Sequence, residues 1–303
     1  KKNAVPVFEC MLAHDGANHE KKIVGKKLVE PKLDGVRCLT IVNYEAQTVV
    51  QYTRNGKVLE NFSHITDALR TVIEDFGRSF VLDGEIVSKS FQDLMKQVHR
   101  KSNVAATDAV LWLFDALPLK HFEQGICPIS QQDRSEWLNT WYDTKLYKSM
   151  ANVRCLDHAV VDLDTEQGQR LYTMYNKSAI ENGYEGIMLK DLDAPYECKR
   201  TTAWLKLKPF IEVSLEVADV EEGTSRNVGK LGALVCSGTD DGREIVVNVG
   251  SGLSDSDRDE YWANRDGLLG HLVEVQADAV TQNQDGTYSL RFPRFLRFRD
   301  FEA

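Results

Sequence analysis

Lys32 stands in "EPKLDGVR", between a proline and an Asp-Gly pair, where an ordinary strand has no need of an amine. Read with a period of two, Glu30, Lys32 and Asp34 project to one side of an extended chain and Leu33 to the other, while Gly35 permits a close backbone approach. The same alternation puts Asp83 and Glu85 of "VLDGEI" on one face, a pair that suits either Mg2+ or a turn. In "WLKLKP" it separates Lys206 and Lys208 from Leu205 and Leu207. Two neighbouring lysines repel, so an anionic ligand such as a polyphosphate explains them better than packing does. Glu185 of "YEGIMLK" opens an apolar strand with a carboxylate that can reach a cation.

These residue types share one chemistry. A free lysine amine has a pKa of roughly 10.4, so at neutral pH it is protonated and inert. Cations beside it lower that pKa and release a nucleophile. Lys206, Lys208, Arg37 and a divalent metal would do this for Lys32, and would also neutralise charge on a triphosphate under attack. The set reads as a nucleotidyl transferase site.

The elements that must position it alternate between strands and helices. "VRCLTIV" and "TVVQYT" predict strands around a polar turn, "RSFVLDGEIVS" (78–88) a strand pair or bend, and "DAVLWLFDAL" (108–117) a strand buried on both faces. Helices are expected over 90–101, after Ser130 as N-cap, and over 165–182. In the last of these Leu171, Met174, Tyr175 and Ala179 recur at helical spacing as core residues, with Gly183 as the stop. After Pro209 come five or so short β segments with glycine turns and one acidic helix, which suggests a small barrel of the OB type. The expected division is 1–209 and 210–303.

Composition narrows the rest. Apolar runs such as "AVLWLF" are too short to span a bilayer. The sequence begins Lys-Lys-Asn, without Met and without an apolar stretch behind it, so a few trimmed residues and no secretory signal are expected. Six scattered cysteines with no C-x-x-C pair argue against a zinc site or disulfide framework and for a reducing cytoplasm. The formal net charge of −9 speaks against nucleic acid, but binding follows local basic patches. Such patches occur at Lys21, Lys22, Lys26 and Lys27, across Lys199 to Lys208, and across Arg291 to Arg299.

The order of these motifs resembles a known family. K-x-D-G-x-R (32–37), T-R-N-G (53–56), L-D-G-E (82–85), F-D (114–115), E-G-I-M (185–188) and W-L-K-L-K-P (204–209) are similar to covalent nucleotidyltransferase motifs I, Ia, III, IIIa, IV and V. The final third, with "VGSGLSD", "HLVEVQAD" and "SLRFPRFLRFRD", resembles the OB domain of ATP-dependent DNA ligases, in the compact layout of bacteriophage and bacterial enzymes. The family's terminal R-x-D-K pattern is not matched, because Arg299 is followed by Asp300, Phe301 and Glu302.

The resemblance implies an α+β chain: a nucleotidyltransferase (ATP-grasp-like adenylation) domain of antiparallel sheets and helices, followed by an OB-fold barrel. It implies that Lys32 attacks the α-phosphate of ATP to form a lysyl-AMP, which passes to the 5′-phosphate of a nick before the 3′-hydroxyl displaces it. Glu30 would hold the adenine amino group and Phe114 would stack on the base. Asp34, Arg37 and Arg54 would bind nucleotide, the two arginines at ribose and the 5′-phosphate. Glu85 and Glu185 would serve ribose and Mg2+ (or Mn2+), and Lys206 and Lys208 the α-phosphate. Arg297 and Arg299, with Arg291 on the same face of one strand, would act on the departing pyrophosphate. Nicked duplex DNA and ATP are the implied partners of a cytoplasmic monomer away from membranes. A capping guanylyltransferase, an RNA ligase and an inactive nucleic-acid-binding module stay open as alternatives. An NAD+-dependent ligase is disfavoured, since its cysteine-zinc module is missing.

Overall fold

A computed structural model describes residues 9–96, 104–146 and 150–300. Among them the chain divides into two compact units, one from residues 9–90 and 104–208, the other from residues 91–96 and 209–300. No helix among the described residues is long and apolar enough to cross a membrane.

The first unit is built on two sheets. One runs, in spatial order, Leu12–Asp15, Arg200–Leu207, Gly186–Asp191, Lys26–Lys32 and Ala159–Asp162. Its registers set Lys206 beside Met188 and Met188 beside Glu30, and Trp204 beside Lys190. Since side chains in register share a face, alternation sorts this sheet cleanly. Val29, Ile187, Leu189 and Leu205 form a core with Ala179 of the helix Glu166–Glu181. The opposite face receives Glu30, Lys32, Lys190, Trp204 and Lys206. Gly186 lets two of these strands approach: a Cβ there would lie 1.9 Å from the Leu207 carbonyl oxygen.

The other sheet runs Val58–Leu59, Thr48–Tyr52, Val36–Asn43, Phe80–Val87, Val110–Pro118 and Val153–Cys155, with only the last pair parallel. "RSFVLDGEIVS" is one continuous strand here, not a strand pair or bend. Its Asp-Gly serves packing, for a Cβ on Gly84 would meet the Trp112 carbonyl oxygen at 2.3 Å. The register shifts between Asp83 and Gly84, which face Asp115 and Leu113, so Phe114 is the extra residue of a β-bulge. The strand Val110–Pro118 is buried throughout only over its second half; before that Val110, Trp112 and Phe114 are half-exposed.

Ser130 caps the helix Gln131–Trp141, accepting from the Asp133 amide, and Gly183 follows the helix Glu166–Glu181 at φ +84°. Met174 departs from expectation: it is 52% exposed. The buried stripe runs through Gly168, Leu171, Tyr172, Tyr175 and Ala179, and Met174 lies about a third of a turn away from its centre. The expected helix over 90–101 is seen as Lys89–Met95, with residues 97–101 outside the described residues.

The second unit is a seven-stranded sheet in the order Ala279–Gln282, Tyr288–Arg291, Arg243–Val249, Leu231–Asp240, Ile211–Glu222, Leu272–Ala277 and Arg294–Phe298. It has more strands than the five foreseen, because "HLVEVQADAV" breaks at Asp278 and "TYSLRFPRFLRFR" at Phe292–Pro293, where Phe292 takes φ +50°. The helix Asp255–Ala263 opens with a Ser254/Asp257 capping box. Arg258 ties it to the sheet by donating to the carbonyls of Leu231, Gly232 and Gly250. The Tyr261 hydroxyl donates to the Lys96 carbonyl at 2.7 Å, joining residues 91–96 to this unit.

Candidate active site

The charged face of the first sheet carries the amine in question. Lys32 ends its strand opposite Gly186, one residue from Glu185, and donates to Glu185 Oε2 at 3.1 Å. Lys208 Nζ lies 3.7 Å from the same oxygen. Lys206, two residues before Lys208, has its amine brought down to about 8, first by burial and then by the charges of Lys208, Lys32 and Arg200, against the opposing pull of Asp15. Three lysines and one carboxylate thus gather as the sequence predicts. Beside the cations expected around Lys32 stands an anion, Glu185, which both Lys32 and Lys208 approach.

Glu30 is buried and ion-paired with Lys190, a residue the sequence reading passed over. Burial pushes the Glu30 carboxyl up, and Lys190 opposes that shift. The Lys190 ammonium lies 4.2 Å from the centroid of Phe114 and 4.1 Å from that of Trp204. Parity would have found it, since Lys190 follows Met188 by two in "EGIMLK". The bulge in Val110–Pro118 sets Phe114 among these charges, edge-on to Trp204 at 5.9 Å.

Arg37 is held in a two-point ion pair, Nε and Nη2 to the two oxygens of Asp83 at 2.6 and 2.7 Å, and donates also to the Met11 carbonyl. The Tyr196 hydroxyl gives Asp83 a third donor at 2.6 Å. Asp83 is therefore neither turn residue nor exposed metal ligand, but the buried anchor that carries Arg37 to 5.3 Å from the Phe114 ring. Glu85 stands opposite Arg37 in register. Asp34 is half-buried before Gly35, and half-buried Arg54 accepts a weak thiol contact from Cys10 at its carbonyl. Glu85 and Glu185 each offer carboxylate oxygens, the donor type that Mg2+ takes together with substrate phosphates.

In the second unit Arg297 and Arg299 share one carboxylate: Arg297 Nε to Glu274 Oε2 at 2.7 Å and Arg299 Nη2 to Glu274 Oε1 at 2.9 Å. Arg291 belongs to a separate strand, so the single strand face expected for all three is broken at Phe292 and Pro293. Asp300, where the terminal pattern departs, accepts from the Leu272 amide and lies 2.7 Å from His271.

A family model described as "ATP dependent DNA ligase domain" matches residues 10–208, and one described as "DNA ligase OB-like domain" matches residues 222–299. The chain belongs to the ATP-dependent DNA ligase family. Its two units accordingly combine a nucleotidyltransferase domain with an OB-like domain. A solved structure named Pmar-Lig_PreS3 is 52% identical over 98% of this chain and 69% of that one, with a TM-score of 0.66. The ATP-dependent DNA ligase from bacteriophage T7, in complex with ATP, shares the fold at 20% identity over 96% and 98% of the two chains, with a TM-score of 0.51. A DNA ligase of Halobacterium salinarum is 30% identical over 313 residues, 90% of this chain and 51% of its own. The chain thus spans about half the length of the curated relatives it matches.

Proposed function

We propose that this chain joins 5′-phosphate and 3′-hydroxyl ends at nicks in duplex DNA, using ATP and a lysyl-AMP intermediate on Lys32. The observation that carries the reading is the Lys32 amine held 3.1 Å from Glu185 on a sheet face that also presents Lys206 and Lys208. Glu185 fixes the direction of the amine. Lys206 and Lys208 supply the positive charge that phosphate oxygens need as the α-phosphorus is attacked. On this reading Phe114 stacks on the base and Glu30, paired with Lys190, accepts from the adenine amino group. Asp34, Arg37 and Arg54 contact nucleotide or nick phosphate. Mg2+ bound by Glu85 and Glu185 would supply further neutralisation of the triphosphate. For Arg297 and Arg299 the proposal is a cationic group for departing pyrophosphate, part of whose charge Glu274 already balances.

The division of labour proposed is adenylation within 1–209 and an OB domain over 210–303, working as a monomer in cytoplasm. Labelled ATP should leave an acid-labile adduct on the protein that survives denaturation, GTP should not, and nicked duplex DNA should then discharge it. In Lys32→Ala the adduct should be undetectable; an adduct of wild-type yield would overturn the assignment. Adduct formation with GTP instead of ATP would favour a capping-type activity.

A further inference from the structure

We propose that Gln131 is a positioning residue for the base side of the nucleotide site, acting through the indole of Trp204. The inference rests on the reading of this face as a site for ATP.

Gln131 opens the helix Gln131–Trp141 and is fully buried. Its backbone is fixed by donation to the Ala194 carbonyl at 2.9 Å. Its side-chain oxygen accepts from Arg134 Nη2 and from Trp204 Nε1, both at 2.9 Å. Its side-chain nitrogen donates to Asp115 Oδ2 at 3.2 Å and to Ser135 Oγ at 3.1 Å. Two donors on one side and two acceptors on the other allow only this orientation of the amide. Arg134 in turn grips Asp115 through Nε at 2.9 Å and Nη2 at 3.2 Å. A neutral amide completes this network without adding charge. A carboxylate would crowd Asp115, and an alkyl chain would leave an indole N–H buried with no acceptor.

Trp204 is where the network meets the site. It lies opposite Lys190 in register, and its ring packs edge-on to both Phe114 and Tyr196 at 5.9 Å. Aromatic surroundings alone tolerate several ring orientations, whereas one N–H acceptor selects one of them. The selected face holds the Lys190 ammonium, and that ammonium is paired with Glu30. A chain of contacts therefore runs from Gln131 to Trp204, to Lys190, to Glu30. Only the last group in it is assigned to the substrate, so a defect at Gln131 should appear in base recognition and leave phosphoryl transfer largely intact.

Single-turnover self-adenylylation as a function of ATP concentration tests this in wild type, Gln131→Leu, Trp204→Phe and the double variant. Trp204→Phe keeps a ring but removes the N–H that needs Gln131. Gln131→Leu should weaken apparent ATP affinity about tenfold while the rate at saturation stays within about threefold. In the Trp204→Phe background the same change should cost less than about twofold, because coupled residues are not additive. Equal losses in both backgrounds, a loss confined to the saturating rate, or no loss would overturn the proposal. Should Gln131→Leu fail to fold, Trp204→Phe by itself decides, since it removes the N–H through which Gln131 acts. A weakened ATP affinity with the saturating rate kept supports the proposal, and an affinity equal to wild type overturns it. A wild-type protein that takes no label from ATP would instead defeat the nucleotide reading itself.

Discussion

At the scale of single residues the site sets stability against chemistry. Lys206 is half-buried near two other lysines, and loss of solvent around its amine brings it down to about 8 from the ordinary 10.5. Below that lower value the amine is charged in both the folded and the unfolded chain, and the fold carries the full cost. As pH rises through about 8 the folded chain gives up the proton first, so stability climbs until the unfolded amine also titrates. The interval from about 8 to 10.5 corresponds to about 3 kcal/mol at most. Lys206→Met should therefore raise the unfolding free energy at pH 7 by up to that amount and flatten the rise in stability between pH 8 and 10, as urea unfolding at several pH values would show. The same variant should lose most of its self-adenylylation. A neutral or destabilising effect at pH 7 would mean that the amine is relieved in some other way.

At the scale of elements, close approach matters as much as periodicity. Gly186→Ala forces a Cβ against the Leu207 carbonyl, in the pair of strands that delivers Glu185 and Lys206. It should cost about 2–4 kcal/mol and most of the adenylylation activity. Met174→Glu, on the open side of its helix, should change stability by less than about 0.5 kcal/mol in the same urea titration. The contrast shows what the sequence could convey. Period-two alternation sorted Glu30, Lys32, Lys206 and Lys208 onto one face because strands repeat that pattern whatever surrounds them. Helical spacing alone admitted Met174 to the core, because residues three and four apart both look like neighbours. The bulge at Phe114 left no trace, since one extra residue in a strand alters no local composition. Gln131 and Arg134 were invisible for a different reason: polar residues at a helix start are read as solvated, and only tertiary partners reveal a buried network.

For the whole molecule, a net charge of −9 means that the proposed DNA binding would rest on local exposed cations. Lys21, Lys22, Lys26 and Arg226 are exposed, and Lys230 is partly engaged by Asp259. Lys27, grouped with them by sequence, is buried and ion-paired with Asp191. Each phosphate contact contributes about 0.9 to the slope of log affinity against log salt on duplex DNA. Lys26→Ala should thus flatten the slope for nicked duplex by about 1, while Lys27→Ala should lower folding stability and leave the slope unchanged. Equal slopes for Lys26→Ala and wild type would remove Lys26 from the interface. The acceptance of residues 91–96 into the second unit, where Lys96 meets Tyr261, carries its own consequence for how the chain can be taken apart. A cut after residue 208 would not release two finished pieces. The N-terminal fragment would carry off residues 91–96, which belong to the second unit, and the C-terminal fragment would lose the acceptor for its Tyr261 hydroxyl.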